Sequence, residues 1–270
     1  MRDSLPVLVD SHCHLYASDF AADLDAVLGR AREAGVWRLV VPGTDIATSR
    51  EALRMSERHP EIYCAVGVHP HEADAWDEAS RAELAAMSRS SRVVAIGEIG
   101  LDYFRDYSAR SAQRHAFRAQ LELAGELGLP AIVHNREATA DVLSDLLDWS
   151  KRLPPDLEKR AGVLHAYSAD VSSAKMAAEA GYYIGIAGPL TYPRADGLRK
   201  VVSELPTDRA LIETDAPFLP PQPHRGERNE PAFVRLVAVQ LAEICGMDLA
   251  EIGLTTTRNA SILFGWDNGN

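Results

Sequence analysis

Eight short apolar runs, VLVD, WRLVVPG, YCAVGVH, VVAIGE, PAIVH, GVLHA, YYIGIAG and ALIETD, recur along the 270-residue chain with helix-patterned stretches between them. Each run is rich in β-branched residues and mostly unalternating, the pattern of a parallel strand covered on both faces. The segments between them, DLDAVLGRAREAG, RSAQRHAFRAQLELAGELG and ATADVLSDLLDW for example, carry helical periodicity, and Gly35, Gly128 and Gly181 stand where helices stop. The runs end near residues 12, 43, 69, 98, 134, 165, 187 and 215, an interval of about 30 residues, the length of one βα unit. Eight units predict an α/β fold of the (β/α)8 TIM-barrel type, a single domain over residues 1–270, with its active site at the C-terminal ends of the strands. No linker, internal repeat or low-complexity tract divides the chain. The Pro-rich segment PFLPPQPHRGERNEP after the last run is a long loop at the end of a barrel where loops shape substrate sites. Two amphipathic stretches, PAFVRLVAVQLAEIC and LAEIGLTTTRNASILF, then close the chain as helices on the outside.

Hydrophobic pattern alone does not separate a closed barrel from a doubly wound open sheet; the polar residues do. His12 and His14 lie two apart in the first run, so both point to one side of a strand. Four later runs end in Glu98, His134, His165 and Asp215. Groups from strands 1, 4, 5, 6 and 8 meet at one point more readily around a ring than across a flat sheet. Any one of them alone reads as a polar strand cap. All six together read as a metal site, because buried acids and imidazoles are costly unless paired or bound to metal. Four imidazoles and two carboxylates exceed the needs of one tetrahedral ion and imply two divalent cations roughly 3.5–4 Å apart, bridged by Glu98. His12, His14 and Asp215 are expected to complete one shell, and His134 and His165 the other. Water held between two such cations loses its proton near neutral pH, which is hydrolytic chemistry. Glu98 and Asp215 are the catalytic candidates, Asp215 as an ionised carboxylate that orients the water or takes its proton. The imidazole-rich set favours Zn, Mn, Fe or Co over Mg.

Composition narrows the partners. A formal charge of −11 argues against a protein that coats nucleic acid through many phosphate contacts, though not against a nuclease whose bound cations supply positive charge locally. Three cysteines at irregular spacing, Cys13, Cys64 and Cys245, form no disulfide framework. With no apolar run near the ~20 residues of a membrane span and no leader-like start, the expected location is the cytoplasm, with no membrane partner. Cys13, between two inward histidines, is expected to face the helical layer.

The segments DSHCHL, GVHPHEA, GEIGLDYF, IVHNREA, ETDAPFL, RGERNEP and TTRNASILF, in this order from about residue 8 to residue 265, resemble the TatD family of metal-dependent deoxyribonucleases. That resemblance implies a (β/α)8 barrel of the amidohydrolase type with a two-metal centre, DNA as substrate, especially the 3′ ends of single strands, and the same six ligands. Two places depart from the pattern. Relatives often read HCFS after strand 6, where this chain has His165, Ala166, Tyr167 and Ser168, and Ala187 stands where a serine is common. Around the ligands, His69 and His71 are candidates for facing substrate, Asp102 for orienting an imidazole, Tyr103 for a base platform with Phe104 beside it, and Arg136 and Arg228 for phosphate contact. Asn229 and Glu230 are expected to fix the long loop, and His59 and His115 to be capping or solvated. The alternatives from other classes are an ester, lactone or C–N hydrolase, such as a D-aminoacyl-tRNA deacylase, and a metal-binding barrel without catalysis.

Overall fold

Residues 7–266 are described by the structure, a computed structural model; the remaining ends of the expected 1–270 domain lie outside the described residues. Strands and helices alternate along the chain: β1 (Leu8–Asp10), α1 (Leu24–Glu33), β2 (Val36–Pro42), α2 (Ile46–Arg58), β3 (Ile62–Val66), α3 (Glu78–Met87), β4 (Val93–Asp102) and α4 (Arg110–Leu127) make the first half. The second half comprises β5 (Ala131–Arg136), α5 (Thr139–Ser150), β6 (Gly162–Leu164), α6 (Val171–Glu179), β7 (Tyr182–Ile186), α7 (Asp196–Glu204), β8 (Ala210–Ile212), α8 (Val234–Cys245) and α9 (Leu249–Phe264). The helices end as the glycines predict: Gly128 closes α4 in the left-handed conformation, and Gly35 and Gly181 follow α1 and α6 with positive φ.

All eight strands are parallel and pair in sequence order. The ring closes just beyond the ends of β1 and β8, where the amide of Ser11 donates to Ile212 O (3.1 Å), that of Asp215 to His12 O (2.8 Å) and that of His14 to Ala216 O (2.7 Å). Cys13 bridges to Ala216 in the same seam. Buried Asp10 reinforces it by accepting from the Thr214 amide and hydroxyl and from the His12 amide; burial pushes its carboxyl up to about 8.

Every strand contributes to an inner cluster, Val9, Val40, Ala65, Val94 and Ala95, Ile132, Val163, Tyr183 and Leu211, which packs with Ala260, Leu263 and Phe264 of α9 and with Trp266. A far larger cluster fills the space between sheet and helices, and Cys13 belongs to it, on the helical side as expected. The inner layer sets the site. Counting by twos from Ile132, Val163 and Leu211 reaches His134, His165 and then Glu213 and Asp215, so strand alternation delivers these side chains to the lumen. Gly185 on β7 faces the same space, and a Cβ there would lie 2.6 Å from Glu213 Oε2. Only glycine leaves room for that carboxylate.

Candidate metal centre

At the C-terminal mouth of the ring, six side chains from five strands converge. His12 Nε2 lies 3.2 Å from His14 Nε2, 3.3 Å from Glu98 Oε2 and 3.7 Å from Asp215 Oδ1. His14 Nε2 is 3.3 Å from Asp215 and 3.6 Å from Glu98. His165 Nε2 stands between the two acids, 3.7 Å from Glu98 Oε1 and 3.8 Å from Asp215 Oδ1, and its ring stacks on His12 with centroids 3.5 Å apart. His134 Nδ1 is 2.9 Å from Glu98 Oε1. Three groupings have the spacing of a metal shell: His12, His14 and Glu98; His12, His165 and Asp215; His69, Glu98 and His134. Glu98 belongs to two of them, as a bridge would. In these groupings His165 stands with His12 and Asp215, and His69 rather than His165 stands with His134.

The outward nitrogens show that this cluster fits cations. His165 Nδ1 is 2.9 Å from buried Glu213, and His14 Nδ1 is 2.9 Å from the Tyr16 hydroxyl. A proton held on Nδ1 leaves the Nε2 lone pair of both rings aimed into the cluster, the arrangement by which a second group fixes the tautomer of a metal-ligating histidine. His134 is held the other way round, with Nε2 3.2 Å from Asp102 and Nδ1 turned to Glu98. Burial by itself would push the His165 imidazole down, but Glu213 and Asp215 overcome it and raise it to about 10. His14 is raised against its burial by Asp215, and His134 by Asp102 and Glu98. The acids respond in kind. Burial pulls Glu98 and Asp215 up, while His69 and His12 around the former and His165 and His14 around the latter bring both below the ordinary carboxylate range.

His69 lies deeper than a rim contact. It caps the 3-10 turn Pro70–Ala75, its Nδ1 accepting from the His71 amide at 3.1 Å, and its Nε2 is 3.5 Å from Glu98 Oε1. A ring whose Nδ1 accepts carries its proton on Nε2, so His69 meets Glu98 as a donor, although it falls within one metal-like grouping. His71 Nε2 and His134 Nε2 share Asp102 Oδ2, at 2.9 and 3.2 Å. Asp102 also accepts from the amides of Phe104 and Arg105, so it holds two imidazoles and its own loop.

Two expected substrate contacts are placed otherwise. The guanidinium of Arg228 pairs with Asp23 and Glu230 and donates to Asp19 O, so it pins the loop instead of facing phosphate. Tyr103 is half-buried, donates its hydroxyl to Asp141 and has Arg110 4.3 Å from its ring centroid. The ring of Phe104 beside it is 50% exposed, with Arg136 at 4.3 Å and Arg105 at 5.6 Å from its centroid. Asn229 fixes the long loop as expected: its Nδ2 donates to Thr214 O and Phe218 O, and its Oδ1 accepts from the Glu230 amide. Asn229→Ala leaves these buried groups unpaired and is expected to lower unfolding free energy by about 1–3 kcal/mol, a drop that urea titration measures directly; an unchanged midpoint would remove the loop anchor. His59 caps α2 at its C-terminus and His115 is exposed.

The residue that sequence reasoning missed is Glu213. It stands two positions before Asp215, so the same alternation that pairs His12 with His14 points it inward. Its Oε1 also accepts from the Ala166 amide and its Oε2 from the Ser11 hydroxyl, so the one acid ties the ends of β1, β6 and β8 together.

Residues 9–265 match the family model for TatD related DNase. A Bacillus subtilis protein named as the uncharacterized metal-dependent hydrolase YabD is 42% identical over 258 residues, 96% of this chain and 99% of its own length. The 3′-5′ ssDNA/RNA exonuclease TatD of Erwinia tasmaniensis is 39% identical over 264 residues, 95% of this chain and 99% of its own. Among solved structures, the TatD homologue YJJV of Escherichia coli superposes with a TM-score of 0.89 at 33% identity, covering 96% of this chain and 98% of that one. With the match running almost end to end and the family's histidines and acids gathered at the barrel mouth, the chain belongs to the TatD related DNase family.

Proposed function

We propose that this barrel acts as one domain, a metal-dependent phosphodiesterase that removes nucleotides from the 3′ ends of single-stranded DNA, with two divalent cations at the mouth. The observation that carries the reading is the convergence of His12, His14, Glu98, His134, His165 and Asp215 with their ligating atoms turned inward. Bound there, a cation pair supplies Lewis acidity to a phosphoryl oxygen and lowers the pKa of water. The rest falls to the chain itself. Glu98 lies between the groupings and holds them in register. Asp215, kept ionised by His165 and His14, accepts the proton of the attacking water as the new P–O bond forms and the P–O3′ ester bond breaks. His69 fixes Glu98 from behind with its Nε2–H.

Phe104 with Arg136 and Arg105 beside it is a platform for an unstacked base, because aromatic rings and guanidiniums hold single strands by stacking. Binding is local, given the net charge of −11. Among the described residues, no helix is long and apolar enough to cross a membrane, and the three free cysteines suit the reducing cytoplasm. The test uses 5′- and 3′-labelled oligonucleotides, single-stranded and blunt duplex, with D-aminoacyl-tRNA and lactone in parallel. A ladder shortening from the 3′ end, faster on the single strand, is expected. Turnover of the acyl substrates with the oligonucleotides left intact would overturn the reading.

A further inference from the structure

The departures from the family's sequence pattern gather in one place. Ala166 and Tyr167 follow His165, and Ala187 follows β7; all three line, with Ser168, a cavity of about 590 Å³ whose other walls come from the loops after β7 and β8 and the start of α7. That is within the size range of small-molecule sites. Tyr192 forms a wall and is fixed from behind: its hydroxyl donates to Pro220 O at 3.0 Å, and Arg199 donates to its carbonyl. Arg225 lies 4.6 Å from the Tyr192 ring centroid. The guanidinium of Arg194, also on the lining, has no hydrogen-bond or ion-pair partner among the described residues, and that of Arg225 has none besides that ring. Arg30, Arg50, Arg81, Arg114 and Arg118, by contrast, are matched with carboxylates. Two unmatched guanidiniums, an aromatic wall and small apolar residues beside the metal centre describe a seat for an aromatic ring bearing an anion.

We propose that this cavity holds one nucleotide of the single-stranded substrate, its base against Tyr192 and its phosphate on Arg194 and Arg225. The ligand's identity rests on the nuclease reading. The Phe104–Arg136 patch lies at the ends of β4 and β5 and the cavity beyond the ends of β6, β7 and β8, so the two occupy adjoining arcs of the barrel mouth, and a strand seated in both passes the metal centre that the mouth holds. Small side chains at 166 and 187 keep the floor low enough for a base to enter edgewise beside His165.

Binding without turnover tests the seat separately from the chemistry. A trinucleotide carrying 2-aminopurine is titrated into the full chain in chelator, where stacking quenches the fluorophore. The expected result is quenching by the wild type, about tenfold weaker binding with the quench lost in Tyr192→Leu, and a shallower salt dependence in Arg194→Met and Arg225→Met. The two arginine positions are exposed, so these variants report even if the tyrosine variant melts early. Wild-type affinity in all three variants, or no quench with the wild type, would overturn the seat. Failure of the nuclease reading looks different: the trinucleotide binds through Tyr192, yet metal-loaded protein leaves every oligonucleotide uncut.

Discussion

Glu98→Gln is expected to lower turnover of single-stranded DNA about a thousandfold while the barrel stays folded. Five imidazoles face this one carboxylate: His134 at 2.9 Å, His12 at 3.3 Å, His69 at 3.5 Å, His14 at 3.6 Å and His165 at 3.7 Å. Glu98 is 3% exposed, and its negative charge survives burial because His69 and His12 hold it. Glutamine keeps the volume and one acceptor oxygen but removes the charge that two neighbouring cations would share. Losing the several kcal/mol of transition-state stabilisation that a bound cation supplies corresponds to roughly 10³ in rate at 1.4 kcal/mol per tenfold. Rates on a labelled oligonucleotide, elemental analysis and circular dichroism on the same preparation check it. A folded variant that cuts at the wild-type rate would show that the chemistry lies elsewhere.

How far the sequence reaches depends on how local each signal is. Strand and helix periodicity, and the ligands at strand ends, are readable because alternation fixes which side a residue takes once one neighbour is known to be buried; His134 follows from Ile132 in this way. Glu213 obeyed the same rule but was masked by Asp215 two positions later, which looked sufficient for the end of strand 8. Arg228 was misread for a different reason. Its partners, Asp23 and Glu230, include one more than 200 residues away in sequence, and no local pattern reveals that a surface guanidinium is already matched. The same limit applies to Tyr103, whose hydroxyl is taken by Asp141 of the next helix, and to His69, whose role follows from a capping hydrogen bond rather than from its position at a strand end. The cavity beside His165 is assembled by three loops, so the sequence showed only that Ala166 and Ala187 departed from a pattern, not that the departures share a wall.

Metal affinity is expected to rise steeply with pH, by about 100-fold between pH 6.5 and 8.5 from His165 alone. In chelator-treated protein, Glu213 and Asp215 hold the His165 proton up to about 10, against about 6.5 for an unperturbed imidazole. Coordination through Nε2 requires the neutral ring, so binding expels that proton, and each expelled proton makes apparent affinity climb tenfold per pH unit. His14 and His134 are also raised and act in the same direction. Stability of the chelated protein has the opposite sign. A raised histidine pKa stabilises the fold fully below the unfolded value near 6.5, and the contribution is lost as pH climbs through about 10. Chelated protein should therefore weaken on the alkaline side, in the range where the loaded protein gains. Competition against a metallochromic dye across this range, with calorimetry in buffers of different ionisation enthalpy to count protons, measures both. Glu213→Gln supplies the control, since the amide oxygen still accepts from Nδ1–H while the charge that holds the second proton is gone; its affinity should depend less on pH than that of the wild type. A flat profile in wild type, with no protons released on binding, would mean that the Nε2 atoms gathered at the mouth are not where the cations sit.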